Sequence, residues 1–313
     1  MMKYSVIIPL YNKSEYIRKS IDSVLSQTYC DLECIIVDDG STDGSAEIAD
    51  SYSAKYQNVR VIHQHNSGVA IARNNGVKES LGDYICFLDA DDWWEHNFIS
   101  TIDETITKFP DAGIYGTNYY YYKNRRGDVR INITTGFFDY FKEYSKNLQM
   151  PLTSSSVCVP KKIFLEMSGF KSELKFGEDF DLWARIALQY PTVFVNEPLA
   201  YYNQDVPINK RAVGNLIKPK HHFLWNIQYL SYYEEINSDL KILMDKLRIS
   251  NMSLYYASNL YHNDSKRILD KVNWTEQKVL DKLYFKLPIA FAKFYNYFFS
   301  VGSLIKSVVN SLK

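Results

Sequence analysis

The sequence predicts an α/β fold with a mostly parallel sheet flanked by helices, followed by a helical C-terminal extension. Short apolar runs alternate with stretches of helical periodicity through the first third of the chain. Polar residues follow each apolar run, which is typical of strands that deliver ligand-binding groups to one edge of a parallel sheet. After about residue 218, apolar residues recur at helical spacing to the end of the chain.

Length and composition limit the classes of function. The chain has 313 residues, which is enough for one large domain or two ordinary ones. Its 36 acidic and 36 basic residues lack the basic excess of a nucleic-acid-binding protein, so we expect no nucleic-acid partner. The four cysteines form no CxxC pair, and no N-terminal apolar run is long enough for a signal peptide. Both observations predict a cytoplasmic location.

The first third of the chain predicts a βαβ series. Continuous apolar, β-branched runs predict four strands, over Tyr4–Pro9, Leu32–Val37, Asn58–His63 and Tyr84–Leu88. Helices are predicted between them, with Ser14 capping the first and Thr42 or Asp43 capping the second. The third helix is predicted over 69–80, and we expect right-handed crossovers. The carboxyl ends of all four strands should therefore lie along one edge.

Two common phosphate-binding motifs are absent. A dinucleotide-binding fold needs a GxGxxG turn after its first strand, and the stretch from Pro9 to Lys13 has no glycine. The chain also has no GxxxxGK[ST] loop. The fourth strand instead ends in three carboxylates, Asp89, Asp91 and Asp92. Carboxylates that hold a divalent cation are a second way to bind phosphates.

The middle of the chain predicts further elements of the sheet. We expect a helix over 95–108, strands over Ala112–Tyr122 and Val129–Thr134, and a turn over Lys123–Asp128 between these strands. Residues 151–160 predict a strand whose serine hydroxyls face the acidic edge. A helix should begin at Asp179, because apolar residues then recur at helical spacing.

Five stretches resemble the inverting, nucleotide-sugar-dependent glycosyltransferases of family 2, which have the GT-A fold. They are VIIPLYN, VDDGSTDGS, HNSGVAIARNNG, YICFLDADDWW and GEDFDLW, and they match in order and spacing over about residues 3–205. The resemblance implies transfer of a sugar from a UDP-sugar to a hydroxyl of a cell-surface glycan acceptor linked to lipid. The QxxRW motif of processive synthases is absent, which favours transfer of one sugar per encounter.

The resemblance assigns donor-binding positions to eight residues, which are Pro9, Tyr11, Asp39, Asn66, Gly68, Arg73, Asp89 and Ala90. It implies that Tyr11 packs against the base and that Asp39 accepts a hydrogen bond from the uracil imide, while Asp38 braces the loop. Gly68 lets the backbone approach the donor. Arg73 either clamps Asp89 or contacts the donor, and a structural ion pair is the alternative.

The triplet Asp89-Ala90-Asp91 fits the DxD motif of this family. The resemblance implies that Asp91 contacts Mn²⁺ or Mg²⁺ directly, while Asp89 reaches the ribose or the metal shell. Such a cation neutralises the charge that builds on the departing nucleoside diphosphate. Asp92 is expected to cap the next helix.

The resemblance makes Asp179 the general base, which takes the proton from the acceptor hydroxyl. Glu178 would orient the acceptor or its own loop. Acidic residues at this place also favour a helix N-terminus through its dipole, and both roles are compatible. Two rival functions are a sugar-phosphate nucleotidyltransferase, whose glycine-rich loop is absent, and a non-catalytic nucleotide- or glycan-binding module.

The predicted domains are a GT-A catalytic domain over 1–215 and a helical region over 216–313. Within the first, residues 1–110 bind the nucleotide-sugar and residues 111–215 form the acceptor side. Lys210 or Arg211 is either a basic lid over the diphosphate or part of a solvated linker. The aromatic, lysine-flanked stretch 287–305 suggests a helix in the interface of the cell membrane's inner face. Its alternatives are a helix packed on the catalytic domain and a homodimer contact.

Overall fold

The computed structural model describes residues 3–207 and 216–296. The chain divides into two compact units, one formed by Met1–Gly214 with His221–Phe223 and the other by Asn215–Lys220 with Leu224–Lys313. The first unit is an α/β structure with a mostly parallel sheet, which confirms the predicted fold class. The described part of the second unit is helical.

The sheet of the first unit has ten strands. They are β1 (Tyr4–Leu10), β2 (Leu32–Asp38), β3 (Val59–His63), β4 (Tyr84–Phe87), β5 (Trp93–Trp94), β6 (Ile114–Lys123), β7 (Arg126–Val129), β8 (Gly136–Phe138), β9 (Val157–Pro160) and β10 (Thr192–Asn203). The main order is β3-β2-β1-β4-β9-β6-β10-β5, with β7 beside β6 and β8 beside β10. Strands β1 to β4 are mutually parallel, so their carboxyl ends share one edge as predicted.

Helices cover the sheet and build the second unit. The first unit has α1 (Ile17–Leu25), α2 (Ser45–Lys55), α3 (Val69–Glu79), α4 (Phe98–Lys108), α5 (Tyr140–Asn147), α6 (Lys161–Glu166) and α7 (Glu178–Ala187). The second has α8 (Leu230–Ile236), α9 (Ser238–Tyr256), α10 (His262–Leu269) and α11 (Val279–Tyr284). Helix α1 buries Ile17, Ile21 and Val24. The helical spacing of these residues is the pattern that predicted the helix.

The predicted helix caps at Ser14, Thr42 and Asp43 are wrong. The residue before α1 is Tyr16, and the residue before α2 is Gly44, in the left-handed conformation. The Asp43 side chain connects two loops instead. The backbone N–H of Ser14 donates to Asp43 Oδ2 at 3.1 Å, and Asp43 Oδ1 accepts from Ser45 N at 3.0 Å. These contacts fasten the loop after β1 to the loop after β2.

The predicted strand over Val129–Thr134 is also misplaced, because the turn is shorter than predicted. Residues Asn124 and Arg125 have φ angles of 54° and 61°, and Lys123 pairs directly with Arg126. A two-residue hairpin turn requires positive φ at both central positions, and Asn tolerates that conformation well. Strand β7 therefore begins at Arg126, inside the segment predicted as a turn.

Only the last four residues of the predicted strand over 151–160 form a strand. Residues Ser154–Ser156 form a 3-10 turn, and β9 follows. Thr153 and Ser156 exchange side-chain and backbone hydrogen bonds in a capping box. Serine and threonine side chains compete with the sheet for backbone partners in this way, which explains why the run of hydroxyl residues turns.

An aromatic cluster under β4 fixes the position of α7. Phe87 of β4 lies 5.2 Å from Phe170 and 6.3 Å from Trp183 of α7, measured between ring centroids. Trp183 is completely buried. Burying side chains of this size stabilises the fold by about 1.5–3 kcal/mol each. The cluster therefore holds the middle of α7 against β4.

Gly177, the residue before α7, should tolerate no side chain. Its φ is +76°, and an added Cβ would lie 2.3 Å from the ring of Phe223. Gly44 has a similar φ of +88° with no atom within 4 Å of an added Cβ. We expect Gly44→Ala to lower the free energy of unfolding by about 1–2 kcal/mol, because a side chain disfavours a positive φ even where there is space for it. Gly177→Ala should lower it by about 2–5 kcal/mol, because overpacking adds to the same strain.

Urea unfolding of the two variants beside the unaltered protein measures this difference. The two glycines share the backbone strain, so Gly44→Ala is the matched control for it. Equal losses in the two variants would contradict the predicted clash with Phe223.

In the second unit, α9 packs through one apolar face. Leu240, Leu243, Met244 and Leu247 are buried, as their spacing predicted. Arg248 of the same helix is also buried, and its guanidinium donates to both carboxylate oxygens of Glu234. Across 3–207 and 216–296, no helix combines the length and apolar character needed to cross a membrane. Lys210, Arg211 and the part of the 287–305 stretch from residue 297 onward lie outside the described residues.

Candidate active site

The acidic stretch after β4 is held in a tight turn. The N–H of Asp92 donates to the carbonyl oxygen of Asp89 at 2.9 Å. The N–H of Asp89 donates to Ser155 Oγ at 3.0 Å, so a hydroxyl of the 3-10 turn before β9 faces this edge as predicted. The Asp89 side chain is 34% exposed, whereas Ala90 is buried. The turn therefore presents Asp89 toward solvent at the carboxyl edge of the sheet.

Asp92 is not a helix cap, contrary to the sequence prediction. Its carboxylate is buried, and it accepts from Ser155 Oγ at 2.6 Å and from the N–H of Asn203 at 2.8 Å. Helix α4 begins later, after Asn97. Burial, followed by the nearby Asp91 and Asp89, raises the pKa of Asp92 well above its usual value. Asp92 thus ties the end of β4 to the end of β10.

Arg73 of α3 links the acidic turn to the start of α7. Its Nη2 donates to Asp89 Oδ1 at 2.6 Å, and its Nη1 donates to Glu178 Oε1 at 3.0 Å. The guanidinium is only 3% exposed and lies 5.2 Å from the ring of Phe170. Arg73 therefore contacts Asp89, which fits both the predicted clamp and the alternative of a structural ion pair, and it also contacts Glu178. One buried cation holds carboxylates from two distant segments of the chain.

Lys13 is a site residue that sequence reasoning missed. Its Nζ lies 2.5 Å from Asp91 Oδ2, and both side chains are largely buried. The pKa of Asp91 is nevertheless raised, first by burial and also by Asp89, while Lys13 opposes the shift. The available signal was the position of Lys13 directly after the first strand, at the edge that carries the DxD triplet.

Asp39 braces a loop in addition to any contact with a donor. Its Oδ1 accepts from Gln64 Nε2 and Ser67 N at 2.7 Å each, and its Oδ2 accepts from Gly68 N at 2.8 Å. Two carboxylate oxygens offer about four acceptor positions, so Oδ2 retains capacity for another donor. Asp38 also braces its surroundings, because it accepts from Ser41 N at 3.1 Å.

The remaining donor-side residues occupy different environments at this edge. Tyr11 follows β1 and is 48% exposed, as a ring that stacks on a ligand requires. Asn66 is exposed, whereas Pro9 is buried within β1. Gly68 precedes α3 with a φ of +96°, and no atom lies within 4 Å of the place of a Cβ. Open space at Gly68 fits the predicted close approach of a ligand to the backbone.

Asp179 lies in the first turn of α7. Its Oδ1 accepts a hydrogen bond from the N–H of Phe180 at 2.7 Å. Burial and the neighbouring Glu178 raise the pKa of Asp179 to about 7, against the opposing effect of Arg73. A carboxylate with a pKa near neutrality is suited to accept and release a proton at physiological pH.

Buried tyrosine side chains surround this carboxylate. Burial, and then Asp179, raises the pKa of Tyr144 in α5. Burial, and then the nearby Tyr144 and Asp179, raises the pKa of Tyr140 in the same helix well above its usual value. Within the described residues, the Tyr140 hydroxyl is buried without a hydrogen-bond partner. A buried unsatisfied hydroxyl costs about 1–3 kcal/mol, so the Tyr140 hydroxyl lowers the stability of this part of the fold.

The residues after β4 fit a divalent cation that a substrate helps to hold. Three carboxylates, those of Asp89, Asp91 and Asp92, follow one another with one intervening alanine, and burial, with their mutual repulsion as a smaller cause, raises the pKa of Asp91 and of Asp92. The part of the chain that the structure describes contains no cluster of three or more His, Cys, Asp or Glu side chains that would hold a metal alone. Mg²⁺ is usually bound by one or two carboxylates plus substrate phosphates, which matches this donor set.

A mostly parallel sheet with an acidic turn at its carboxyl edge and an acidic helix start beside it fits a glycosyltransferase with the GT-A fold. The chain belongs to glycosyl transferase family 2, because the model of that family matches residues 5–171, more than half of its length. This result confirms the resemblance found in the sequence.

Individual relatives agree with this assignment. The chain is 28% identical over 300 residues to glycosyltransferase GlyG of Streptococcus pneumoniae serotype 4, covering 92% of this chain and 95% of the relative. It is 31% identical to an uncharacterized glycosyltransferase of Rickettsia felis, covering 86% of this chain but 45% of that protein. The crystal structure of S. aureus TarS 1-349 in complex with UDP-GlcNAc has a similar fold, with a TM-score of 0.60 at 19% identity. That match covers 86% of this chain and 70% of TarS 1-349.

Proposed function

We propose that this glycosyltransferase is metal-dependent and inverting, and that it moves one sugar from a UDP-sugar to a hydroxyl of a lipid-linked cell-surface glycan. The observation that supports this most is the double contact of Arg73 with Asp89 and Glu178. It joins the DxD turn to the helix that carries Asp179. This contact supports one site that combines a donor-binding group with an acceptor base.

On the donor side, we assign the base to Tyr11 and Asp39 and the close backbone approach to Gly68, with Pro9, Asn66 and Ala90 nearby. Family 2 membership and the UDP-GlcNAc complex of TarS support a UDP-sugar as the donor. A Mn²⁺ or Mg²⁺ ion held by Asp91 and Asp89 would offset the negative charge of the leaving diphosphate. Arg73 and Lys13 orient these two carboxylates.

On the acceptor side, Asp179 removes the proton from the attacking hydroxyl. The acceptor oxygen then forms the new bond to the anomeric carbon as the diphosphate departs from the opposite face, so the anomeric configuration inverts. The pKa of about 7 for Asp179 supports this role, because such a carboxylate is a stronger base than an ordinary one and is still partly ionised at neutral pH.

The rival functions have less support. The ten-stranded sheet has a DxD turn and no glycine-rich loop after β1, so a sugar-phosphate nucleotidyltransferase is disfavoured. A non-catalytic binding module does not need a carboxylate poised near neutrality beside the donor edge. We further propose that the enzyme works at the inner face of the cell membrane, where a lipid-linked acceptor is available.

Slow donor hydrolysis tests this function without knowledge of the acceptor. The protein should release UDP from at least one of UDP-glucose, UDP-galactose and UDP-N-acetylglucosamine when Mn²⁺ or Mg²⁺ is present. Chelation should stop the reaction, and added metal should restore it. Proton NMR of early product should show the β anomer from the α-linked donor. Early α anomer would contradict inversion, and turnover that resists chelation would contradict the metal.

A further inference from the structure

The second unit contains a cavity of about 300 Å³ with no assigned role. Helices α9, α10 and α11 form it together with the 3-10 turn Trp274–Glu276. Trp274 and Phe285 give it an aromatic wall, with their ring centroids 5.7 Å apart. This volume lies at the lower end of the range for small-molecule sites, and it is large enough for a phosphate with a short polar group attached.

The cavity is positively charged. Lys266, Lys282 and Lys286 line it, and Asp270 is the acidic residue among its lining. Within residues 216–296, neither Lys266 nor Lys286 forms an ion pair, while Lys282 Nζ donates to the carbonyl oxygen of Thr275 at 3.1 Å. Ammonium groups gathered around a concave site attract an anion, and lysine is a common phosphate ligand.

Exposed apolar side chains adjoin these lysines in the sequence. Helix α11, which contributes Lys282, exposes Leu280 by 75% and Leu283 by 56%. Phe291 is exposed by 63% in the segment that follows. Large exposed apolar side chains beside polar residues mark a surface that contacts a membrane or a partner protein. Residues 266–296 also hold seven Lys or Arg and three Asp or Glu, so the surrounding charge is positive.

The exposed side chains belong to a well-anchored element. Tyr284 of α11 is buried, and its hydroxyl donates to the carbonyl oxygen of Ser253 at 3.0 Å. The hydroxyl of Tyr256 donates to the carbonyl oxygens of Phe285 and Leu287 at 2.6 and 3.0 Å. Hydrogen bonds and a buried side chain therefore anchor the core-facing side of α11. Poor packing of this helix does not explain why its leucines are exposed.

We propose that this cavity binds the phosphate group of an anionic phospholipid, while Leu280 and Leu283 enter the membrane interface beside it. Positive charge next to exposed apolar side chains is the combination that membrane surfaces with anionic lipids attract. The proposal rests on the membrane location proposed above and supplies a specific lipid-binding site for it. It does not depend on the donor, the metal or Asp179.

Vesicle sedimentation with the full chain tests the site. The unaltered protein should bind phosphatidylcholine vesicles that contain phosphatidylglycerol and should bind pure phosphatidylcholine vesicles weakly. The triple variant Lys266→Gln, Lys282→Gln, Lys286→Gln should lose about 100-fold in partitioning, from about fivefold per lysine. The matched control replaces the exposed Lys78, Lys108 and Lys162 of the first unit with glutamine, which changes net charge equally. The control should bind as the unaltered protein does.

A second variant, Leu280→Ser with Leu283→Ser, should also weaken vesicle binding, and both variants should keep metal-dependent UDP release in the absence of vesicles.

Equal loss in the lysine control would overturn the proposal, because general charge would then explain binding. Full vesicle binding by the triple lysine variant of the cavity would overturn the proposed lipid site, although the protein would still associate with membranes. If the unaltered protein binds neither vesicle type, the membrane location fails as well, whereas the transfer reaction is judged separately by UDP release.

Discussion

Replacing Asp179 with asparagine should lower the rate of metal-dependent UDP-sugar turnover by about 10²–10⁴-fold while leaving UDP affinity unchanged. Asparagine keeps the size of the side chain and its acceptor oxygen for the N–H of Phe180, so α7 should still form. It cannot accept the proton of the attacking hydroxyl or water. The expected loss corresponds to about 3–5 kcal/mol of transition-state stabilisation.

The pH profile separates a base from a merely structural carboxylate. Asp179 acts as a base only when ionised, so the rate should rise with pH through about 7 and level off above it. The charge of Glu178 raises the pKa of Asp179, and Arg73 lowers it. Glu178→Gln removes the first effect and should move the rising limb to lower pH. The Asp179→Asn variant should lack this limb altogether.

Glu178→Gln also serves as the control for the Asp179 substitution. It removes a carboxylate one residue away and loosens the contact with Arg73, yet it leaves the base in place. Circular dichroism and urea unfolding should show that both variants are folded. Turnover near the normal rate in Asp179→Asn would assign the proton transfer to a different group.

The apolar runs predicted β1, β2 and β4 because these strands are buried on both faces along nearly all of their length. Strand β2, for instance, is buried along its whole length, and a continuous run such as LECIIV has few alternatives to that position. The parallel pairing of β1 with β2 and β4 then brings Asp39 and Asp89 to the same edge. Local pattern was sufficient here because burial alone selects these strands.

Contacts between distant segments could not be predicted from local pattern. Ser155 pairs with Asp89 and Asp92 only because β9 lies beside β4, an antiparallel placement that no local signal specifies. Asp92 resembled a helix cap in the sequence and instead accepts from Asn203, 111 residues away. Arg73 was predicted to point at the acidic edge, but its second partner, Glu178, depends on where α7 packs. Such pairs require the tertiary structure.

Replacing Asp91 with alanine should weaken UDP binding in the presence of Mn²⁺ by about 100-fold or more, and chelator should no longer affect the remaining binding. Asp91 is the proposed direct ligand, and the cation in turn holds the diphosphate. Titration calorimetry with UDP, with and without Mn²⁺, measures both effects. Asp91→Asn should behave similarly, because it keeps the shape of the side chain and loses the charge. Asp83→Ala, an exposed aspartate just before the amino end of β4, is the control and should bind UDP normally.

Lys13 makes the Asp91 test decisive, because its ammonium group contacts the same carboxylate. If Asp91 holds a divalent cation, Lys13 competes with that cation for the oxygens, and Lys13→Gln should leave Mn²⁺-dependent UDP binding intact or tighten it. If Asp91 serves only to position Lys13 against the phosphates, Lys13→Gln should weaken UDP binding as much as Asp91→Ala does, with or without metal. Tight, chelator-resistant binding of UDP by Asp91→Ala would directly contradict the assignment of Asp91 as a metal ligand. The pair of variants thus distinguishes a metal-bound diphosphate from a lysine-bound one.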